Sequence, residues 1–273
     1  MTKIHEMTFR LKCLNLALQT IKDNPERAAQ AADTFYRFVN GEGPAQPQAA
    51  VDWQTLVARR DPYKLGTVPP GIHDIASEIT CGVDVCKMHL HYEVVVWGDD
   101  GASWSIDYGR LDGDVTGPEV WHKLSAVLER RYPDAFGNLR QIEMTAVDCG
   151  AFSNSVYAWA RGRDRVMVVK GKDGAASPPL EFTKRDMHTG LKVCVVWSWP
   201  LKDEAQARLA DGRWRFSEGH DPEFFKQLTA EAFIVREKNG VPYGEWIKTG
   251  PNNALTARLY AMAAAFKIRG GKG

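Results

Sequence analysis

The sequence predicts an α/β fold, a mixed five-stranded sheet flanked by helices, and three observations predict it. Runs rich in β-branched and aromatic residues stand close together at 78–86, 89–97 and 102–110, the last two separated by the turn Gly98-Asp-Asp-Gly101. They read as an antiparallel meander. Two further strand candidates, 138–148 and 165–170, alternate with helical patterns, which points to parallel crossover units. Finally, two of these apolar runs carry an aspartate: Asp84 in Ile79-Thr-Cys-Gly-Val-Asp-Val-Cys86 and Asp148 in Ile142-Glu-Met-Thr-Ala-Val-Asp-Cys-Gly150.

Taken in order, residues 8–39 read as an N-terminal helical arm. Phe9, Leu11, Leu14, Leu18 and Ile21 lead through Ala28 to Phe35, Phe38 and Val39, with a break at Asp23-Asn24-Pro25. The Gly/Pro-rich stretch 40–48 follows as a linker, so 1–50 form the arm and linker and 51–273 the main domain. A short helix is expected over 52–60 with Asp52 as its N-cap. Residues 63–73, holding Pro69-Pro70, are expected to be extended. After the meander, Pro118 opens a helix whose Val120, Trp121, Leu124, Val127 and Leu128 share one face. A second helix is expected over 152–161, then a less regular stretch, then a last helix over 253–267. The apolar stripe of that helix is Leu255, Leu259, Met262, Ala263 and Phe266.

The order β-β-β-α-β-α-β constrains the topology. Strands two and three hang from strand one as hairpins, while strand four arrives by a helical crossover and fits beside strand one on its free edge. Asp84 and Asp148 then become neighbours. This is the ribonuclease H-like arrangement, in which acids on those two strands build a metal site and a third acid comes from the last helix.

Bulk composition narrows the chemistry. Thirty-five Lys and Arg balance 34 Asp and Glu, so any nucleic-acid contact must rest on a local patch and not on a strongly basic domain. The five cysteines (Cys13, Cys81, Cys86, Cys149, Cys194) include no CxxC pair and read as reduced thiols in a cytoplasm-like compartment. No cationic segment followed by an apolar core opens the chain, and the longest apolar run, Val94–Trp97, is too short to span a membrane. Neither a secretion signal nor a membrane anchor is expected.

A carboxylate is costly to bury, so an acid on a core strand needs a cation, a partner or a task. Two such acids converging would offer hard oxygen donors to Mg²⁺ or Mn²⁺, the arrangement that cuts phosphodiesters. The competing reading is that each acid bonds to turn amides at a strand end.

The residues also resemble a known family. Val68-Pro-Pro-Gly-Ile72, Gly82-Val-Asp-Val85, Ser103-Trp-Ser-Ile-Asp-Tyr108, Val147-Asp-Cys-Gly150 with Val156-Tyr157, and Val169-Lys-Gly171 are similar to the nuclease domain of lambda-type phage terminase large subunits. So are Phe224-Phe-Lys-Gln-Leu-Thr-Ala-Glu231, Trp246 and the run Asn252–Ala264, so the ordered resemblance covers about residues 35–266. It implies a metal-dependent DNA endonuclease that cuts concatemeric DNA during genome packaging in a bacterial cytoplasm, with Asp84 and Asp148 as ligands of Mg²⁺ or Mn²⁺. It also implies DNA, a terminase small subunit and a portal protein as partners. No G-x-x-x-x-G-K-[ST] phosphate loop occurs, so a separate ATPase subunit is a further expected partner.

The family pattern at the last helix is Asn-Glu-Ala-Leu-Asp, where this chain reads Asn252-Asn253-Ala254-Leu255-Thr256. Thr256 holds the place of the third acid, and a hydroxyl is a poor Mg²⁺ ligand. Glu231 and Asp186 are acids in the irregular region that could stand in. The alternative function is therefore a DNA-binding or assembly module with a decayed site.

Other candidates are weaker. Lys170, in the resembling Val-Lys-Gly, is expected to contact the DNA backbone or the scissile phosphate. With Arg161, Arg163, Arg165 and Lys172 it forms the densest basic cluster, read either as a phosphate-gripping rim beside Asp148 or as a solvated helix end. Cys86 and Cys149 are expected to be small buried hydrophobes and not ligands of a softer metal. His89 and His91 share a strand face without a third ligand at suitable spacing. Trp97, Trp104, Trp121, Trp159, Trp197 and Trp199 are spaced as core.

Overall fold

The period-two runs do form strands, and their alternation divides the domain into two cores. The computed structural model describes residues 51–72, 77–98, 101–176, 178–183, 190–238 and 241–270. The expected arm and linker, Cys13 and Asp186 lie outside these residues.

Helix α1 (Trp53–Ala58) begins where Asp52 accepts from the Gln54 N–H at 3.3 Å, as the N-cap reading requires. Strands β1 (Glu78–Cys86), β2 (His89–Trp97) and β3 (Ser103–Asp112) make the expected meander. Asp84 pairs with His91, and Cys86 with His89. Helix α2 (Glu119–Leu128) buries Val120, Trp121, Leu124 and Val127.

The strand expected over 138–148 is instead two pieces. Asp134 accepts from the Phe136 and Asn138 N–H groups, and this turn folds β5 (Leu139–Gln141) back onto β4 (Arg131–Pro133) as a separate ribbon. Only β6 (Met144–Asp148) enters the main sheet, parallel to β1. Helix α3 (Ser153–Ala160) then leads to β7 (Val166–Lys172), parallel to β6.

The less regular stretch holds more order than its sequence suggested. Strands β8 (Leu180–Phe182), β9 (Val193–Trp197) and β10 (Trp214–Phe216) extend the sheet to eight strands, in the order β10-β3-β2-β1-β6-β7-β9-β8. The five predicted strands lie inside it, the fourth only through Met144–Asp148. Two of the additions are three-residue edge pieces, too short for a period to register. Helices α4 (Ser198–Asp211) and α5 (Pro222–Leu228) and the hairpin β11 (Glu231–Lys238)–β12 (Val241–Lys248) complete this part.

Helix α6 (Asn253–Ile268) crosses the sheet face made by Thr80, Gly82 and Asp84. The opposite face, with Cys81, Val83 and Val85, packs with α2 and α3. Gly82 is the reason α6 can lie so close: a Cβ there would sit 1.8 Å from the Ala257 carbonyl oxygen. The Thr80 hydroxyl donates to the Ala261 carbonyl at 2.7 Å.

The one-sided stripe expected for α6 is corrected by the structure. Burial runs round the helix from Ala254 to Ala265, apart from Thr256, while Phe266 is 38% exposed. The cause is layering, because α5 and α4 cover the helix face turned away from the sheet. Even Arg258 is fully buried, 2.6 Å from Glu93 Oε1 and under the rings of Trp97, Trp214 and Phe216. No helix among the described residues is long and apolar enough to cross a membrane.

Candidate active site

The two aspartates stand side by side because β1 and β6 run parallel in a fixed register. Val83 pairs with Val147, and one step further on each strand come Asp84 and Asp148. Adjacent strands lie about 4.8 Å apart, and equal register puts both side chains on the α6 face. They sit toward the carboxyl ends of parallel strands, where open α/β sheets place ligands.

Helix α6 supplies a hydrogen bond to each acid. Asn253 Nδ2 donates to Asp84 Oδ2 at 2.8 Å and lies 3.1 Å from Cys86 Sγ. Two turns along, the Tyr260 hydroxyl donates to Asp148 Oδ1 at 3.1 Å. Gly171 on β7 leaves room for that hydroxyl, since a Cβ there would approach it to 2.9 Å. The Gly150 N–H also donates to Asp148 Oδ1, at 3.2 Å. The turn-amide contact of the competing reading is thus present at Asp148, together with the convergence.

The electrostatics follow from burial and proximity. Burial, opposed by the Asn253 amide and reinforced by the Asp148 charge, raises Asp84 from 3.8 to about 6. Burial also raises Asp148, against the pull of the Gly150 N–H and the Tyr260 hydroxyl. Tyr260 is pushed up by burial and then by both aspartates, so it stays a donor. Two half-desolvated, mutually repelling carboxylates are hard oxygen donors whose repulsion a divalent cation relieves. Asp84 and Asp148 therefore fit the metal that the sequence led us to expect. Among the described residues, no cluster of three or more His, Cys, Asp or Glu could hold one.

The remaining candidates separate. Thr256 lies three residues beyond Asn253 and lines a cavity of about 320 Å³ beside the acids, which Tyr260, Lys202, Glu231 and Lys248 also line. No hydrogen bond among the described residues joins Thr256 to either aspartate; the position touching Asp84 is Asn253. Glu231 does not stand in as a third acid, because it is held by Lys202 Nζ at 2.6 Å and by Asn252 Nδ2 at 2.5 Å.

The basic cluster is divided along β7. The Arg165 carbonyl accepts from the Thr145 N–H at the start of β6, so Arg161, Arg163 and Arg165 stand at the opposite strand end from Asp148. This corrects the rim expected beside Asp148, and the cause is the parallel register. Arg163 lies over the Trp159 ring at 4.8 Å. Lys170 and Lys172 are at the correct end. Alternation turns Lys170 away from α6, although its charge still lowers Asp148, and Lys172 sits over the Trp197 ring at 4.1 Å.

Cys149 is buried, 3.9 Å from the Tyr157 hydroxyl. Cys86 is only part-buried, between Asn253 and Asp84. His89 and His91 meet edge to face at 4.9 Å, and burial lowers His91 to about 4, leaving it neutral near pH 7.

Residues 15–270 match the family described as terminase large subunit gpA, endonuclease domain. The chain belongs to that family. No curated protein matches the chain. Among solved structures, the large terminase nuclease from thermophilic phage G20c with bound magnesium is 12% identical. It covers 78% of this chain and 96% of its own, with a TM-score of 0.43. The HK97 bacteriophage large terminase is 11% identical, covers 88% of this chain and 50% of its own, with a TM-score of 0.45.

In this terminase endonuclease domain, three residues at the site had no role assigned from sequence: Asn253 as the partner of Asp84, Tyr260 and Lys248. Tyr260 carried one signal, a lone phenol one turn beyond Thr256 in a helix of small and aliphatic residues. Lys248 carried none, because nothing in the sequence ties the end of β12 to β1.

Proposed function

We propose that this domain is a metal-dependent DNA endonuclease that cuts duplex DNA phosphodiesters, with Asp84 and Asp148 holding Mg²⁺ or Mn²⁺. The observation that carries the reading is the pairing of the two acids at one register on parallel strands, each touched by a donor from α6. When bound, the cation would activate water and offset charge on the phosphate oxygens. Asn253 fixes the orientation of Asp84 by holding its Oδ2, and Tyr260 does the same for Asp148 through Oδ1.

Family membership supports a setting in phage genome packaging, with DNA as substrate. Within that setting we place the activity in the host cytoplasm, with a terminase small subunit, a portal protein and the packaging ATPase as partners. The basic residues Arg161, Arg163, Arg165, Lys170 and Lys172 belong to the proposal as backbone contacts. Lys170 and Lys172 would serve the strand end that carries the acids, and the three arginines a more distant stretch of duplex.

A second reading has one observation in its favour: the flank of Asp84 is filled by the neutral Asn253 amide, and Thr256 offers a hydroxyl. On that reading the domain grips DNA without cutting it. Plasmid incubated with Mn²⁺ separates the two. Nicking by the parent chain that is lost in Asp84→Ala supports the endonuclease. Nicking that appears only once an acid is restored, as in Thr256→Asp or Asn253→Asp, supports the decayed site. Failure of every folded version to cut would overturn the first reading.

A further inference from the structure

The cavity beside the acids is bounded by α4, the β11–β12 hairpin, α6 and the end of β7. At about 320 Å³ it has the size of a small-ligand pocket. Tyr260 forms part of its wall while donating to Asp148, so one side chain links the space to the carboxylate pair.

Its innermost cation is already paired. Lys202, nearly buried, lies 2.6 Å from Glu231 Oε2 and 3.6 Å from Asp173 Oδ1, and Glu231 Oε1 accepts from Asn252. That cation cannot receive a phosphate without leaving a buried carboxylate unpaired.

Lys248 differs. It ends β12, is exposed, and forms no ion pair among the described residues. Alternation along β12 puts it on the same side as Trp246, and both line the cavity. Only four residues separate it from Asn253, whose amide touches Asp84. An exposed ammonium on a flexible stem can meet a phosphate at small desolvation cost.

We propose that Lys248 grips a backbone phosphate of the DNA strand where it enters the cavity beside Asp84 and Asp148. This rests on the endonuclease reading for the identity of the ligand, and it names a contact that Lys170, turned to the other sheet face, does not make. The Lys248 charge also acts on Asp84, lowering it.

The test uses the full chain and a short labelled duplex in chelator, so that no cutting occurs, with affinity followed by anisotropy across a salt series. A phosphate contact contributes about 0.9 to the slope of log affinity against log salt. Lys248→Gln is expected to make the slope shallower by about that amount. Lys248→Arg retains it, as does Lys267→Gln at the far end of α6. An unchanged slope in Lys248→Gln, or an equal loss in Lys267→Gln, overturns the assignment. Cutting is assayed separately with Mn²⁺. Duplex binding with no Lys248 effect removes this inference alone, whereas nicking that survives in Asp84→Ala removes the carboxylate reading alone.

Discussion

Asn253 Nδ2 lies 2.8 Å from Asp84 Oδ2, so a neutral amide caps one oxygen of this buried acid. The two side chains differ from an acid pair by a single charge at nearly constant volume. Asn253→Asp should therefore bind Mn²⁺ more tightly, by about tenfold from one added hard ligand. Calorimetric titration of parent and variant reads this directly, and equal affinities would refute it.

Asp84 makes the metal-free domain sensitive to pH. Its carboxyl is raised from 3.8 to about 6 by burial. Between those values the folded chain keeps a proton that the unfolded chain has released. The Asp84 contribution to stability is thus fullest below about pH 4 and is lost as pH climbs through 6. Asp84→Asn removes that decline. In chelator the variant should be more stable than the parent above pH 6, by up to about 3 kcal/mol, with the gap closing toward pH 4. Urea unfolding across this window measures it, and a gap independent of pH would contradict the assignment.

Gly82→Ala should be among the most damaging small changes. The added methyl meets backbone, the Ala257 carbonyl at 1.8 Å, which cannot rotate aside. Lifting α6 should cost about 3 kcal/mol and move Asn253 and Tyr260 off their acids together. Thermal unfolding checks the first effect and plasmid nicking the second. A fully stable Gly82→Ala chain would mean that α6 does not seat on β1 as described.

The Glu93–Arg258 pair anchors the same helix. Glu93→Ala leaves a guanidinium uncompensated among Trp97, Trp214 and Phe216 and should cost about 3–5 kcal/mol. Replacing both partners by apolar residues should recover most of that loss. The two unfolding curves, compared with the parent, decide whether the pair acts as a unit.

The legible part of this protein was the part governed by local pattern. The meander, α2, α3 and α6 appear within a few residues of where periodicity put them, and the parallel pairing of β1 with β6 followed from connection rules alone. Three features were hidden, each for a physical reason. The 138–148 run splits because the turn at Asp134 captures its first half, a side-chain effect that strand propensity does not register. Alternation on β7 turns Lys170 away from the helix, and register carries Arg165 to the far strand end. Asn253 acquires its partner only when Gly82 lets α6 approach β1.

Asn253 and Tyr260 are seven positions apart on one uninterrupted helix, about 10.5 Å along its axis. Helical pitch therefore acts as a ruler laid across the two acids. Inserting a single residue between them would swing one donor about 100° off the sheet while leaving the other in place. The spacing of these two residues is thus fixed more tightly than their identities.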